Sequence, residues 1–236
     1  MAQTFIMATP SREFIENFNL MPKASLSQWL ELQRAIIESG GEPVIVNGEA
    51  DTGRLGVFWK KALPSWNVIP TAQQSIKLAA TVSYENVVYD ANKKILWYGF
   101  ASDAEFKMKA KLDEIFEGTD ITVRALPIES AGRFPTLSHC MNVLQDGTLL
   151  WHLDSFAEHA RNVLESFYPR NVTVEDEDAA NYVCGCITVG RNVITGPMSS
   201  VLKTKLSMAK NIIEIDTREW VAKKLTLKSL ANEIIE

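Results

Sequence analysis

Apolar and polar positions in the second half of the chain follow one pattern three times over. A short apolar run, a tight polar turn, a second apolar run, a stretch with helical spacing and a third short run come in that order. The first copy predicts a strand at Val87-Val88-Tyr89, a turn at Asp90-Ala91-Asn92-Lys93 and a strand at Ile95-Leu96-Trp97-Tyr98. A helix from Ser102 to Phe116 and a strand at Ile121-Thr122-Val123 complete it. The second predicts Met141 to Leu144, a turn at Gln145-Asp146-Gly147-Thr148, Leu149 to His152, a helix from Ser155 to Phe167 and a strand at Val172-Thr173-Val174. The third predicts Ile187-Thr188-Val189, a turn at Gly190-Arg191-Asn192, Val193-Ile194-Thr195, a helix from Ser199 to Met208 and a strand at Ile212 to Ile215. A repeat of roughly 40 residues points to stacked or radial units, because one such unit cannot bury its own apolar face.

The first half carries the same pattern less cleanly. Phe5-Ile6-Met7 reads as a strand. Leu26, Trp29, Leu30, Leu32, Ile36 and Ile37 have helical spacing, with Ser25 or Ser27 as the cap and Gly40-Gly41 as the stop. Val44-Ile45-Val46 follows as a strand. A further unit starts with a strand at Leu55 to Trp59, then a helix at Ala72 to Lys77 and a strand at Leu78 to Val82. That makes five units with no low-complexity linker between them. The expected fold is α/β: a five-unit propeller of ββαβ type, strands inside and helices outside, with residues 1–236 as a single domain. Closure into a ring would remove exposed sheet edges.

Composition bounds the function. The chain has 236 residues, 46% hydrophobic and 22% charged, with a net charge of −5. A sizeable core is available, and nonspecific nucleic-acid binding is not expected. No apolar run reaches the roughly 18 residues of a membrane span. Residues 1–10 lack the pattern of a signal peptide. Three cysteines, two of them one residue apart, do not make a disulfide framework. A reducing, cytoplasmic setting is the expectation. No dinucleotide fingerprint, P-loop or two-pair metal spacing is present, so neither cofactor nor metal is expected.

Several short motifs, taken in order, resemble the pentein superfamily of amidinotransferases, arginine deiminases and dimethylarginine dimethylaminohydrolase. Tyr98-Gly99-Phe100 followed by Ser102-Asp103 is similar to that family's Gly-Phe-Arg-Thr stretch entering a helix. Arg133-Phe134 leads into Thr136-Leu137-Ser138-His139-Cys140, in the place of its Phe-x-His-Leu-Asp-Thr-Cys. Ala179 to Cys184, with Gly190, resembles its Ala-x-x-x-x-Cys-Asn segment and following turn. Lys228-Ser229-Leu230 sits where the family has a basic residue, a cysteine and a leucine.

The resemblance implies cleavage or transfer of the amidine group of a guanidino compound. A cysteine thiolate attacks the guanidinium carbon, a histidine shuttles protons, and carboxylates hold the planar cation. On this alignment the nucleophile position carries Ser229, the histidine position Thr136, and the aspartate two residues on Ser138. One carboxylate position falls at Leu55 and another near Asn86. A register slipped by three would instead put His139 in the histidine slot, at the cost of gaps before Asp146 and of Met141 where the aspartate belongs.

Other chemistry-bearing residues have structural readings. His139 and Cys140 are neighbours on a predicted strand, so their side chains point apart. Cys184 and Cys186 read as buried structural cysteines. His152, Asp154, Glu158 and His159 cluster at a helix start, with Asp154 or Ser155 as cap and Glu158 at capping-box distance. Glu175-Asp176-Glu177-Asp178 suits the positive end of a helix. Trp59, Lys60, Lys61 and Trp66 form an aromatic–basic segment that reads as a partner surface.

The expectation is therefore a catalytically lapsed, amidinotransferase-like protein serving as a binding or assembly component, with a protein partner or larger assembly. The alternative is a divergent amidinotransferase or amidinohydrolase acting on arginine-like guanidino compounds. That alternative requires a base within hydrogen-bond reach of Ser229.

Overall fold

In the second half, each hairpin is followed by a helix that returns the chain to the far side of the same small sheet. The computed structural model describes residues 3–17, 19–46, 58–59, 84–129, 133–208 and 210–235. In chain order the elements are β1 (Thr4–Ala8), α1 (Arg12–Asn17), α2 (Pro22–Glu38), β2 (Glu42–Val46), β3 (Phe58–Trp59), β4 (Val87–Asp90) and β5 (Ile95–Phe100). They continue with α3 (Asp103–Phe106), α4 (Met108–Ile115), β6 (Thr122–Pro127), α5 (Leu137–Cys140), β7 (Met141–Val143), β8 (Leu149–Trp151), α6 (Glu158–Phe167) and β9 (Asn171–Thr173). The last are α7 (Asp176–Ala180), β10 (Ile187–Val189), β11 (Asn192–Thr195), α8 (Ser200–Ser207), β12 (Asn211–Glu214), α9 (Arg218–Val221) and β13 (Asn232–Ile235).

Three sheets, β4-β5-β6, β7-β8-β9 and β10-β11-β12, share one plan. The first two strands pair antiparallel through the predicted turn, and the third pairs parallel after the helix. The fourth sheet among the described residues is ordered β2-β1-β13-β3. Here β1 runs parallel to β2 across α2, and the strand antiparallel to β1 is β13, from the other end of the chain. The two ends of the chain thus complete one unit between them. Strand β3 joins its edge, parallel to β13. The remainder of the expected fifth unit, including the Ala72 to Lys77 helix and the Leu78 to Val82 strand, lies outside the described residues.

Successive units touch at their hairpin ends. Asn92 Nδ2 donates to Gln145 O at 2.8 Å, and Lys210 pairs with Asp146 at 2.9 Å. Gly190 N donates to Gln3 Oε1 at 3.3 Å, and Gln3 Nε2 donates to Glu233 at 2.7 Å. These contacts lead from the first hairpin unit through the third to the sheet shared by the chain ends.

Local signals place most boundaries. Ser102 and Ser199 cap α3 and α8, accepting from Glu105 N and Leu202 N. Helix α2 departs from the reading of Ser25 or Ser27 as its cap. It begins three residues earlier, at Pro22, whose missing N–H is not needed in a first turn. Ser25 lies inside the helix, its hydroxyl bonded back to Met21 O at 2.8 Å. Gly40 at φ +87° ends the helix as expected. The single predicted helix of the first hairpin unit is split at Lys107 into α3 and α4.

Helix α6 starts at Glu158 with no side-chain cap, which corrects the capping box expected at Ser155. The reason is competition: Ser155 bonds His152, and Asp154 reaches Arg161. The largest buried cluster joins Trp97, Trp151, Phe134, Phe156 and Tyr168 across the hairpin units, and a second packs Phe5, Trp29 and Trp220 around the joined chain ends.

Candidate active site

A tight helical turn at Leu227–Ser229 precedes β13. Thr226 caps it reciprocally: Ser229 N donates to Thr226 Oγ1 at 3.3 Å, and Thr226 N donates to Ser229 Oγ at 2.9 Å. The same Ser229 hydroxyl donates to Oε1 of Glu85, which also accepts from Thr226 Oγ1 at 3.4 Å. Glu85 sits on the short turn Tyr84–Asn86 that leads into β4. Ser229 and Thr226 are each 1% exposed. Gly185 lets a third turn, Val183–Gly185, close on this site, since a Cβ there would lie 2.5 Å from Thr226 Cβ.

Beside Ser229, the Lys228 side chain turns inward. Its Nζ donates to Asn142 Oδ1 at 2.9 Å, and Asn142 Nδ2 donates onward to Cys186 O at 2.8 Å. Burial lowers the Lys228 pKa, and the Cys186 thiol and Glu233 act the other way. Burial pushes the Cys184 thiol well up, helped by nearby Cys140 and Cys186. The Cys186 thiol is raised by burial as well, so both are held protonated and are poor nucleophiles.

Thr136 and Ser138 gather around His139. Thr136 Oγ1 lies 2.6 Å from His139 Nδ1 and 3.2 Å from Ser138 Oγ, and His139 Nε2 lies 3.2 Å from Lys224 O. A carbonyl only accepts, so Nε2 carries the proton and Nδ1 accepts the Thr136 hydroxyl. Burial lowers the His139 pKa to about 4. The segment is a helical turn, α5, rather than the strand expected at His139-Cys140, and both side chains are fully buried. Three residues apart on such a turn, Thr136 and His139 share a face, so the two alternative histidine registers meet in one place.

The sequence-derived positions thus fall into two adjacent groups. Thr136, Ser138 and His139 form one, and Ser229 with Thr226 and Glu85 forms the other. Helix α5 packs against both the Tyr84–Asn86 turn and the Val183–Gly185 turn. The position that reads as Asn86 on the alignment has Glu85 as its neighbour, a residue the sequence reading passed over, and the Glu85 carboxylate meets Ser229. Leu55, Lys60, Lys61 and Trp66 lie outside the described residues, and of Trp59 only the backbone in β3 is described.

His152 belongs to a separate arrangement. Its Nδ1 meets Ser155 Oγ at 2.8 Å and its Nε2 meets Asp176 Oδ1 at 2.9 Å, while Arg133 pairs with Asp176 at 3.1 Å. His152 and Asp176, with Asp154, Glu175 and Glu177, border an acidic cleft of about 520 Å³. Ser155 is fully buried, and the trio ties the turn before α6 to the start of α7. Asp178, from the same acidic run, is buried and fastens Ser199 through its N at 2.6 Å and its Oγ at 2.7 Å. Among the described residues no three His, Cys, Asp or Glu side chains are grouped to hold a metal ion. No helix among them is long and apolar enough to cross a membrane.

The whole described architecture superposes on the N-terminal domain of ArgZ, an arginine dihydrolase from cyanobacteria, with a TM-score of 0.83 at 19% identity. That match covers 100% of this chain and 98% of the domain. DDAH from Pseudomonas aeruginosa matches with a TM-score of 0.77 at 14% identity, covering 99% of this chain and 100% of the other. The chain has the pentein fold. In sequence, the bifunctional arginine dihydrolase/ornithine cyclodeaminase ArgZ of Synechocystis is 25% identical over 126 residues, which is 52% of this chain and 17% of that protein. This chain spans 40% of the length of the ArgZ chain in its apo structure. No protein-family model matches. The ArgZ domain has been solved with substrate bound to a cysteine-to-serine variant, and AgrE, a related structure, with L-arginine and with ornithine and NAD+.

Proposed function

We propose that this chain, taken as one pentein domain, is a divergent amidinohydrolase acting on an arginine-like guanidino compound, with Ser229 as nucleophile and Glu85 as its base. One observation carries the reading: the Ser229 hydroxyl donates to the Glu85 carboxylate. A serine is a weak nucleophile without a base in contact, and that contact is what the hydrolase alternative required. The surroundings are polar, from Thr226, Glu85, Asn142 and Lys228, rather than an apolar plug. The likeness to arginine dihydrolases supports this alternative over the lapsed-catalyst reading.

In the proposed reaction Ser229 Oγ bonds to the guanidino carbon while Glu85 takes its proton. One C–N bond then breaks, and the departing nitrogen receives that proton as ammonia leaves. Water adds to the carbon, giving one proton to Oγ as the C–Oγ bond breaks and the other to solvent through Glu85, and a ureido product is released with Ser229 restored. Glu85 also supplies negative charge for the cation.

The test is release of a ureido product by the purified chain, with ammonia from L-arginine or agmatine and dimethylamine from dimethylarginine. Turnover that disappears in Ser229→Ala supports the reading. Turnover that survives that substitution, or none with any guanidino compound, overturns it.

A second reading is favoured by a specific feature. Among the described residues the hydrogen-bond partners of Ser229 are Thr226 and Glu85, with no imidazole among them. On that reading the chain keeps the guanidino site without turnover and serves as a binding component of a protein assembly. Ligand-induced thermal stabilisation without product would distinguish it.

A further inference from the structure

Two non-glycine residues with left-handed backbone converge on His139. Lys224, at φ +58°, points its carbonyl at His139 Nε2. Tyr182, at φ +55° and ψ +36°, sets its ring edge-on to the imidazole with centroids 4.3 Å apart. A left-handed conformation is costly for a bulky residue and persists where surrounding contacts impose it. At Tyr182 those contacts are local and firm. Its N donates to Ala179 O, and its carbonyl accepts from Gly185 N, each at 2.9 Å. Gly185 in turn abuts Thr226, the cap of the Ser229 turn.

The outcome is a half-buried aromatic ring at the head of the turn that closes on Thr226, whose hydroxyl meets both Glu85 and Ser229. It packs against the main core cluster without being enclosed by it. The phenol is held above its usual range, first by burial and then by the charge of Glu85, so that carboxylate is an electrostatic neighbour of the ring. A carboxylate next to an aromatic ring presents the two features a planar cation uses, an acceptor for its N–H edge and a π face for its flat side.

Resting on the guanidino reading above, we propose that Tyr182 is a specificity-determining residue, whose ring stacks on the guanidinium and selects it over uncharged isosteres. The strained backbone serves this by turning the ring toward the site. His139 acts as its backstop, held neutral so that it does not repel the cation.

The experiment titrates L-arginine and the uncharged L-citrulline into wild type, Tyr182→Phe and Tyr182→Asn by calorimetry. Asparagine tolerates the left-handed backbone while removing the ring, and thermal unfolding without ligand reports whether each variant is folded. Expected is a loss of L-arginine affinity of about 3- to 30-fold in Tyr182→Asn, with L-citrulline affinity unchanged and Tyr182→Phe close to wild type. Equal weakening of both ligands, unchanged L-arginine binding in Tyr182→Asn, or loss in Tyr182→Phe overturns the role given to the ring. Failure of the wild type itself to bind L-arginine overturns the guanidino reading, and the ring's role with it. The two failures are distinguishable because only the second appears before any substitution.

Discussion

Ser229 donates its hydroxyl proton to Oε1 of Glu85, a residue 144 positions earlier in the chain. The contact joins the turn before β4 to the turn before β13, so it depends on the end of the chain folding back beside β1. Replacing Glu85 by Gln keeps the shape but removes the proton acceptor. Turnover in Glu85→Gln is expected to fall by about 10²- to 10⁴-fold. KM should change less. Steady-state kinetics on L-arginine checks this, and an unchanged kcat excludes Glu85 as base.

His139 makes stability depend on acid. Its pKa is about 4 in the fold, against 6.5 for a solvent-exposed histidine. Between those values the unfolded chain binds more protons than the folded one. Its contribution is therefore complete above pH 6.5, lost as pH falls toward 4, and constant below that. The shift corresponds to about 3 kcal/mol, of order-of-magnitude accuracy. Denaturant unfolding from pH 7.5 to 4 should show this slope, and His139→Gln should flatten it. Identical slopes in both proteins rule out His139 as the source.

Asn142 relays between Lys228 and the Cys186 carbonyl. In Asn142→Ala the buried amine loses that acceptor, and destabilisation of about 2–3 kcal/mol is expected, measured by urea unfolding. The Ser229 turn should shift too, so turnover falls even where the protein remains folded. Loss of stability with full activity contradicts a positioning role.

Trp97 Nε1 donates to Tyr168 OH at 2.7 Å, which donates to Asp90 Oδ2 at 2.9 Å. This buried chain ties the first hairpin unit to the second. Tyr168→Phe leaves the indole N–H unpaired and is expected to cost about 1–3 kcal/mol, with unchanged ligand affinity. Calorimetric unfolding and arginine titration of the same variant test both halves.

The three hairpin–helix–strand units are legible because their signals are local. A turn such as Gln145–Thr148 and the helix after it are written in residues two to four apart. Helix α1 escapes such a reading, since its clearest start signal is a single serine, Ser11, bonded to Phe14 N at 3.0 Å. Ser25 and Ser155 depart from their expected capping roles for a shared reason. A hydroxyl has several partners to choose from, and in both cases a group three or four residues back in the chain wins. Cys140 is buried as expected, but its expected strand is a helical turn, since four residues carry too little periodicity to decide.

What the sequence by itself determined was the order of strands, turns and helices in the three hairpin units, while its short motifs carried the resemblance to the pentein fold. Hydrophobic period and turn chemistry act within a few residues, so they survive without knowledge of the rest. Which polar side chains meet was decided only by the tertiary structure. Glu85 reaches Ser229, Lys228 reaches Asn142 86 positions away, and Tyr182 reaches His139 because separate units close against one another in a particular register. Contact between distant turns depends on that closure, and no local pattern in the chain encodes it.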